Sequence, residues 1–335
     1  MTHTRVRRAR KGVPARRPPW HRGYMTGPVE SEAAKLTNDH WVSRGYQANF
    51  GTPDKRLSIL DVQAGEFLPK TRAIRRSFCE VGFTTYLEDG ERDERLEKAF
   101  AGLETTVLDR IRNVSPSNRG PDVKVQVAQL FAIHLVRHPA YKVLHERIAA
   151  QVRTRDVPVI AAKPALPAAF ERDFGRPPKD GELLDLAQHV YDALHADPGT
   201  VLGSMARQHD LMAEKLNSLH MQVITVDPLL PGFAIGDTPI VHGHPATNRY
   251  GFRDHLALMD ASFVFGPLTR RVGVCISGQS LPSVKVRTKR MLNTLNGLTI
   301  RAASAEVGCH PDDRGAVRQA WGRLDQLPPS ILFGP

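Results

Sequence analysis

Between residues 94 and 221 apolar side chains recur at every third or fourth position, whereas on either side they tend to alternate with polar ones. A chain patterned this way has to set a block of helices between two groups of strands. Leu96, Phe100, Leu103, Val107 and Ile111 predict one helix, ending before Pro116. Val127, Leu130, Phe131, Ile133, Leu135 and Val136 predict a second, running from Asp122 to Pro139. Further helices are expected over about 141–151, 182–196 and 200–221. Residues 154–181 hold Pro158, Pro164, Pro167, Pro177 and Pro178 and read as an extended insertion between helices. Upstream, residues 57–62 and 66–68 flank the turn Gln63-Ala64-Gly65 and predict a hairpin. Downstream, strands are expected over 222–226, 233–236, 256–259, 263–265 and 272–276, then a helix opened by Pro282, a last strand over 298–302 and a terminal helix over 311–327. The fold class is therefore α+β, with a central helical bundle packed on a mixed or antiparallel sheet formed by the N-terminal hairpin and the C-terminal strands. Residues 31–335 are expected to form one domain.

The net charge of +11 suggests a polyanionic partner until it is located along the chain. Residues 1–30 hold eight Arg and Lys against a single acid, Glu30, and so carry +7 of the total. The other 305 residues carry only +4, too little for the dense basic face that duplex binding requires. The proline-rich tail itself has too little apolar content to repay its ordering entropy. It reads as a disordered basic segment and a weak candidate for contact with nucleic acid, although translation from Met25 would leave most of it out. No apolar run reaches the roughly 18 residues of a membrane helix, and none follows the basic start as in a secretion signal. No membrane partner is expected and the chain reads as cytoplasmic. Cys79, Cys275 and Cys309 lack metal-type spacing and read as reduced thiols.

Several blocks, in order, resemble a bacterial family catalogued as domain of unknown function 4238, whose members open on a pattern like His-Tyr-Val-Pro-x-x-Tyr-Leu-x-x-Phe. Here it reads His40-Trp41-Val42-Ser43-Arg44-Gly45-Tyr46-Gln47-Ala48-Asn49-Phe50. Arg137-His138-Pro139 is similar to the family's Arg-Thr-Pro helix end, and Gly236-Asp237-Thr238-Pro239 to its Ser-Asp-x-Pro strand end. Glu104 falls where members carry a helical glutamate, while Phe265-Gly266-Pro267-Leu268 and Asn293 resemble the closing segments. Ser43, Gln47 and His138 depart from the pattern. The resemblance spans about residues 36–305 and implies a fold more than a reaction.

Burying an ionisable group costs free energy unless it is partnered, so such groups in apolar frames are either structural pins or parts of a site. His40 has the chemistry of a proton shuttle. Glu104 lies on the apolar side of its helix and Arg137 ends the next one, so the two read as a bridge or as an anion clamp. Asp237 stands at a strand end, ready to orient a group or to bond the backbone of its own turn. Arg44, on the helical face of His40, and Asn293 are candidate substrate-binding residues. Asp237, His242 and His244 make a weak three-ligand set for a divalent metal, the one cofactor considered. Phosphate loops, HExxH and GxSxG are absent, and Asp61 with Glu66 and Lys70 lacks nuclease spacing. The leading expectation is a hydrolase for a phosphate-bearing or nucleic-acid substrate with His40, Glu104, Arg137 and Asp237 in one cleft. The competing expectation is a non-catalytic ligand-sensing or interaction protein, of the kind found in defence or toxin-like assemblies, in which those residues are pins.

Overall fold

A computed structural model describes residues 38–324, apart from 82–85, 89–90 and 196–197, so the basic tail lies outside the described residues. The chain opens with β1 (Asn38–His40), helix α1 (Arg44–Gln47) and the hairpin strands β2 (Arg56–Asp61) and β3 (Glu66–Phe67). Short strands β4 (Arg72–Ala73), β5 (Cys79–Val81), β6 (Tyr86–Glu88) and β7 (Glu91–Asp93) follow. The helical block comprises α2 (Arg95–Ile111), α3 (Pro121–Val136), α4 (Pro139–Ala161), α5 (Ala165–Phe174), α6 (Glu182–His195) and α7 (Pro198–Ser218). Strands β8 (His220–Val226), β9 (Ile235–Gly236), β10 (Val241–His244), β11 (Arg249–Tyr250), β12 (Phe263–Pro267), β13 (Val272–Ser277) and β14 (Val284–Val286) come next. Helix α8 (Lys289–Ala302), β15 (Glu306–Cys309) and α9 (Arg314–Trp321) complete the α+β fold.

Six strands pair in the order β11-β10-β12-β13-β8-β14, antiparallel except for β14 on β8. A second sheet runs β3-β2-β15-β9, with β4 also on β2. The N-terminal hairpin thus joins the end of the chain through β15, whose Val307 and Gly308 face Leu60 and Ile59 on one side and Gly236 and Ile235 on the other. Gly65 closes the hairpin at φ +70°, and the Trp321 ring lies against it while its Nε1 donates to the Val62 carbonyl at 3.1 Å. Any side chain at position 65 would collide with that ring and strain the turn.

Helix α3 is the hub. From Gln126 to Val136 nearly every side chain is buried, as expected of a helix covered on all sides. It packs most extensively on α7, and Phe131 lies so close to the large sheet that a Cβ at Gly266 would come within 2.7 Å of its ring. The main core joins α3 to Val42, Tyr46 and Phe50 and to the inner face of the six-stranded sheet. A second core sits between β2, β15, α8 and α9, and a third, around Val157, Ala187 and Tyr191, belongs to the helical excursion α4–α6.

Several expected elements differ. Residues 154–181 are mostly helical: α4 runs on through Pro158 to Ala161 and α5 follows, because Val157 is anchored against α6. Residues 298–302 are the last turns of α8 and not a strand; the true last strand is β15. Residues 284–286 form β14 instead of the start of a helix, and Leu258–Asp260 is a 3-10 turn. His40, expected on the helical face of Arg44, lies instead in β1, and α1 starts after Ser43, whose Oγ accepts from the Tyr46 N–H at 3.3 Å. All three cysteines are free, Cys275 and Cys309 fully buried. Among the described residues no helix is long and apolar enough to cross a membrane.

Candidate functional site

The segment Trp41–Gln47 is stapled to four parts of the molecule, and that stapling builds the site. The Trp41 indole N–H donates to the main-chain oxygen of Asp237 at 3.1 Å. The Trp41 carbonyl accepts from Nδ1 of His134, whose ring stacks on Tyr46 with centroids 4.7 Å apart. The Tyr46 hydroxyl donates to the Pro267 carbonyl, and the Gln47 amide donates to the carbonyls of Val42 and Ser77 at 2.6 and 3.1 Å. β1 is meanwhile paired to β5, with His40 opposite Cys79.

Under this segment lies Arg137, 1% exposed, at the C-terminal end of α3. Its Nη1 donates to Glu104 at 2.9 Å and its Nη2 to Glu97 at 2.7 Å. Its guanidinium carbon lies 5.4 Å above the centre of the Phe100 ring. Glu97, Phe100 and Glu104 are spaced i, i+3, i+7 on α2, which puts all three on one stripe facing Arg137. Burial pushes the Glu104 carboxyl up, and Arg137 pulls it back down. Charge-assisted pairing of this kind is what permits a guanidinium and a carboxylate to stay ionised out of water.

His40 sits beside this bridge, 8% exposed, and its Nε2 is shut off from solvent and has no hydrogen-bond partner. Burial lowers its pKa, and the Arg44 and Arg137 charges act in the same sense against the Ile74 main chain and Glu97. The neutral form of the ring is therefore favoured more strongly than in a free imidazole. Arg44 is exposed on α1 and its side chain makes no hydrogen bond or ion pair among the described residues. His40, Arg44, Glu104 and Arg137, from three separate elements and a helix end, thus gather at one edge of the fold.

Asp237 joins this group through its main chain only. Its carboxylate, 5% exposed, points to the turn between α8 and β15 and accepts from the N–H groups of Ser304, Ala305 and Glu306 at 2.7, 2.7 and 3.1 Å. Burial pushes its pKa up to about 6 while those three donors hold it down. The expected cleft with an Asp237 carboxylate beside His40 is thereby corrected. Thr238, the next residue, accepts at 2.7 Å from Nε2 of His138, whose Nδ1 caps α4 by accepting from Ala140. The His138 ring stacks on Phe252, and its pKa falls to about 3 through burial and the nearby His242.

The Asp237, His242 and His244 metal set is also corrected. His242 is fully buried and donates to the Leu256 carbonyl at 2.9 Å, while the Asp237 carboxylate is taken up by backbone. Among the described residues no group of three His, Cys, Asp or Glu is placed to hold a metal ion. Asn293 is 1% exposed and neither of its amide atoms has a partner, so nothing links it to the His40 cluster. It lies one turn before Asn296, whose amide is bonded to the main chain of Gly232 and Ala234. Asp61 caps its own turn by accepting from Gln63 and Ala64. The residue that sequence reasoning missed is Glu97. Its spacing of seven from Glu104, on the same stripe as Phe100, was the available signal.

No curated protein and no solved structure matches this chain. A family model described as Protein of unknown function (DUF4238) matches residues 38–313, most of the chain and all of the elements that build the site. The chain therefore belongs to that family.

Proposed function

We propose that the protein is a hydrolase for a phosphate-bearing substrate, working at the edge formed by β1, α1 and the first turns of α2, in an intracellular setting. The observation that carries this reading is the placement of His40, its Nε2 enclosed and without a hydrogen-bond partner, beside the unpaired cation of Arg44. Arg44 binds the phosphoryl oxygens. Substrate binding has to open the enclosed Nε2 to a water molecule; that water gives Nε2 a proton as its oxygen bonds to phosphorus, the ester oxygen leaves, and the imidazolium returns the proton to it. Glu104, Arg137, Glu97 and the Asp237 turn are the rigid support that fixes β1 and α1. The basic segment 1–30 belongs to the same reading, as a salt-sensitive tether when the substrate is a nucleic acid.

The test is turnover of a panel of phosphate mono- and diesters, including single-stranded oligonucleotides, by the full chain and by His40→Gln and Arg44→Ala. Loss of a proton-transfer group lowers kcat about 100-fold or more. Arg44→Ala raises KM first. Thermal unfolding of both variants should stay within a few degrees of the parent.

A second reading is favoured by one specific feature: the charged atoms of Glu104 and Asp237 and both Nη groups of Arg137 are bonded within the protein. On that reading the same edge binds an anionic ligand without turning it over, as in a sensor. Binding abolished by Arg44→Ala, with no turnover of any ester in the panel, would select it.

A further inference from the structure

The far end of α3 carries a separate feature. A cavity of about 450 Å³ opens between the start of α3, the end of α7, the first residues of β8 and the loop that joins β13 to β14. Arg119, Lys124 and His220 line it together with Asn217, and Met221 and Leu281 give it an apolar side. None of the residues lining it is acidic. The side chains of Arg119, Lys124, Asn217 and His220 make no hydrogen bond or ion pair among the described residues, although arginines elsewhere in the fold are paired. Two unpaired cations at the start of α3, facing the polar side chains of Asn217 and His220 across a concave surface whose lining holds no carboxylate, favour an anion over water.

Helix α3 is 16 residues long and begins at the rim with Pro121, whose nitrogen carries no hydrogen, so the donors facing the cavity are side chains and not the helix start. At 450 Å³ the space exceeds what a bare phosphate needs and falls in the range of small-molecule sites. The apolar side would be wasted on an inorganic ion.

We infer that this cavity binds a small phosphate ester, with the phosphate on Arg119 and Lys124, and an apolar or aromatic body against Met221 and Leu281. The site is distinct from the His40 edge. The two lie at opposite ends of α3, about 24 Å apart at the rise of an α-helix. Because α3 ends in Arg137, one rigid helix connects the cavity to the bridge beneath His40.

Isothermal titration of the full chain with phenyl phosphate, inorganic phosphate and phenol tests the assignment. Phenyl phosphate should bind more tightly than inorganic phosphate, and phenol should give no heat. In the Arg44→Ala background, where the His40 edge no longer takes the ester, adding the Arg119→Ala/Lys124→Ala double substitution should weaken phenyl phosphate about tenfold or more, as loss of charge-assisted hydrogen bonds does. Neither Arg119 nor Lys124 is buried, so the double substitution should leave the melting temperature unchanged. Arg44→Ala should leave this binding event intact. No heat with phenyl phosphate up to about 10 mM would overturn the inference. Equal affinity with and without the double substitution, or loss of the event in Arg44→Ala, would overturn it as well.

Discussion

Replacing Arg137 by methionine keeps most of the apolar stem but removes the guanidinium that holds two carboxylates. Glu104 would remain nearly buried, at 9% side-chain exposure, without its cation. Breaking a buried pair from one side costs about 3–5 kcal/mol, because the other charge stays behind unpaired. Glu97 is about one-third exposed and solvent screens it, so its arm contributes under about 1 kcal/mol. A total near 4 kcal/mol is a large share of the stability of a domain. The variant should also acquire a new pH dependence. Without Arg137 the folded-state pKa of Glu104 rises further above its unfolded value, so stability present below the unfolded pKa is lost as pH rises through the folded one. Urea unfolding of Arg137→Met at pH 5 and pH 8 should therefore show the larger loss at pH 8, with an unchanged m-value. Adding Glu104→Gln should restore more than half of the loss at pH 8. A loss under about 1 kcal/mol, or a double variant as unstable as the two single losses added together, would refute the view that this bridge is a buried, coupled support.

Three further outcomes are expected. Asp237→Ala strips three backbone N–H groups of their acceptor and should cost about 3 kcal/mol by chemical unfolding, with Asp237→Asn falling in between. His134 and His138 are held neutral by burial, each lowered to about 3, so acid favours the unfolded chain, which takes up their protons. Stability is full above pH 6.5 and should fall by about 1.4 kcal/mol per pH unit for each histidine below it, in urea melts stepped from pH 7.5 to 5. Asp237, raised to about 6, acts in the opposite sense and offsets part of that slope. Gly266→Ala should lower the melting temperature, because its Cβ would strike both Phe131 and Ile240, while Gly315→Ala, with open space around it, should not.

What the sequence made legible follows from which signals are local. The Glu104–Arg137 pair could be anticipated because each is an ionisable residue in an apolar stripe, and such residues need partners wherever they end up. The hairpin was legible from alternation around Gly65, and its union with the later strands from the placement of strands at both ends. Glu97 escaped notice because it looks like an ordinary exposed residue in the first turn of α2; only the arrival of Arg137 from α3 gives it a role. The direction of the Asp237 carboxylate was not readable either. It depends on the α8–β15 turn, nearly seventy residues on, presenting three N–H groups together. The helical character of 154–174 was hidden by prolines whose local cost is outweighed by packing of Val157 against Ala187 and Tyr191. β15 was missed because Glu306-Val307-Gly308-Cys309 carries little strand propensity and exists through its two neighbours.

On the proposed function, His40 and Arg44 form the working edge on a support made of Arg137 and its two glutamates. Side-chain NMR of the histidine rings, titrated with pH in the absence and presence of phenyl phosphate, reads that edge directly. His40 should titrate below 6.5 in the free protein, and phenyl phosphate should raise its pKa and shift its ring signals, an effect lost in Arg44→Ala. A His40 ring that titrates at or above 6.5, or that ignores the phosphate ester while the protein binds it elsewhere, would contradict the account.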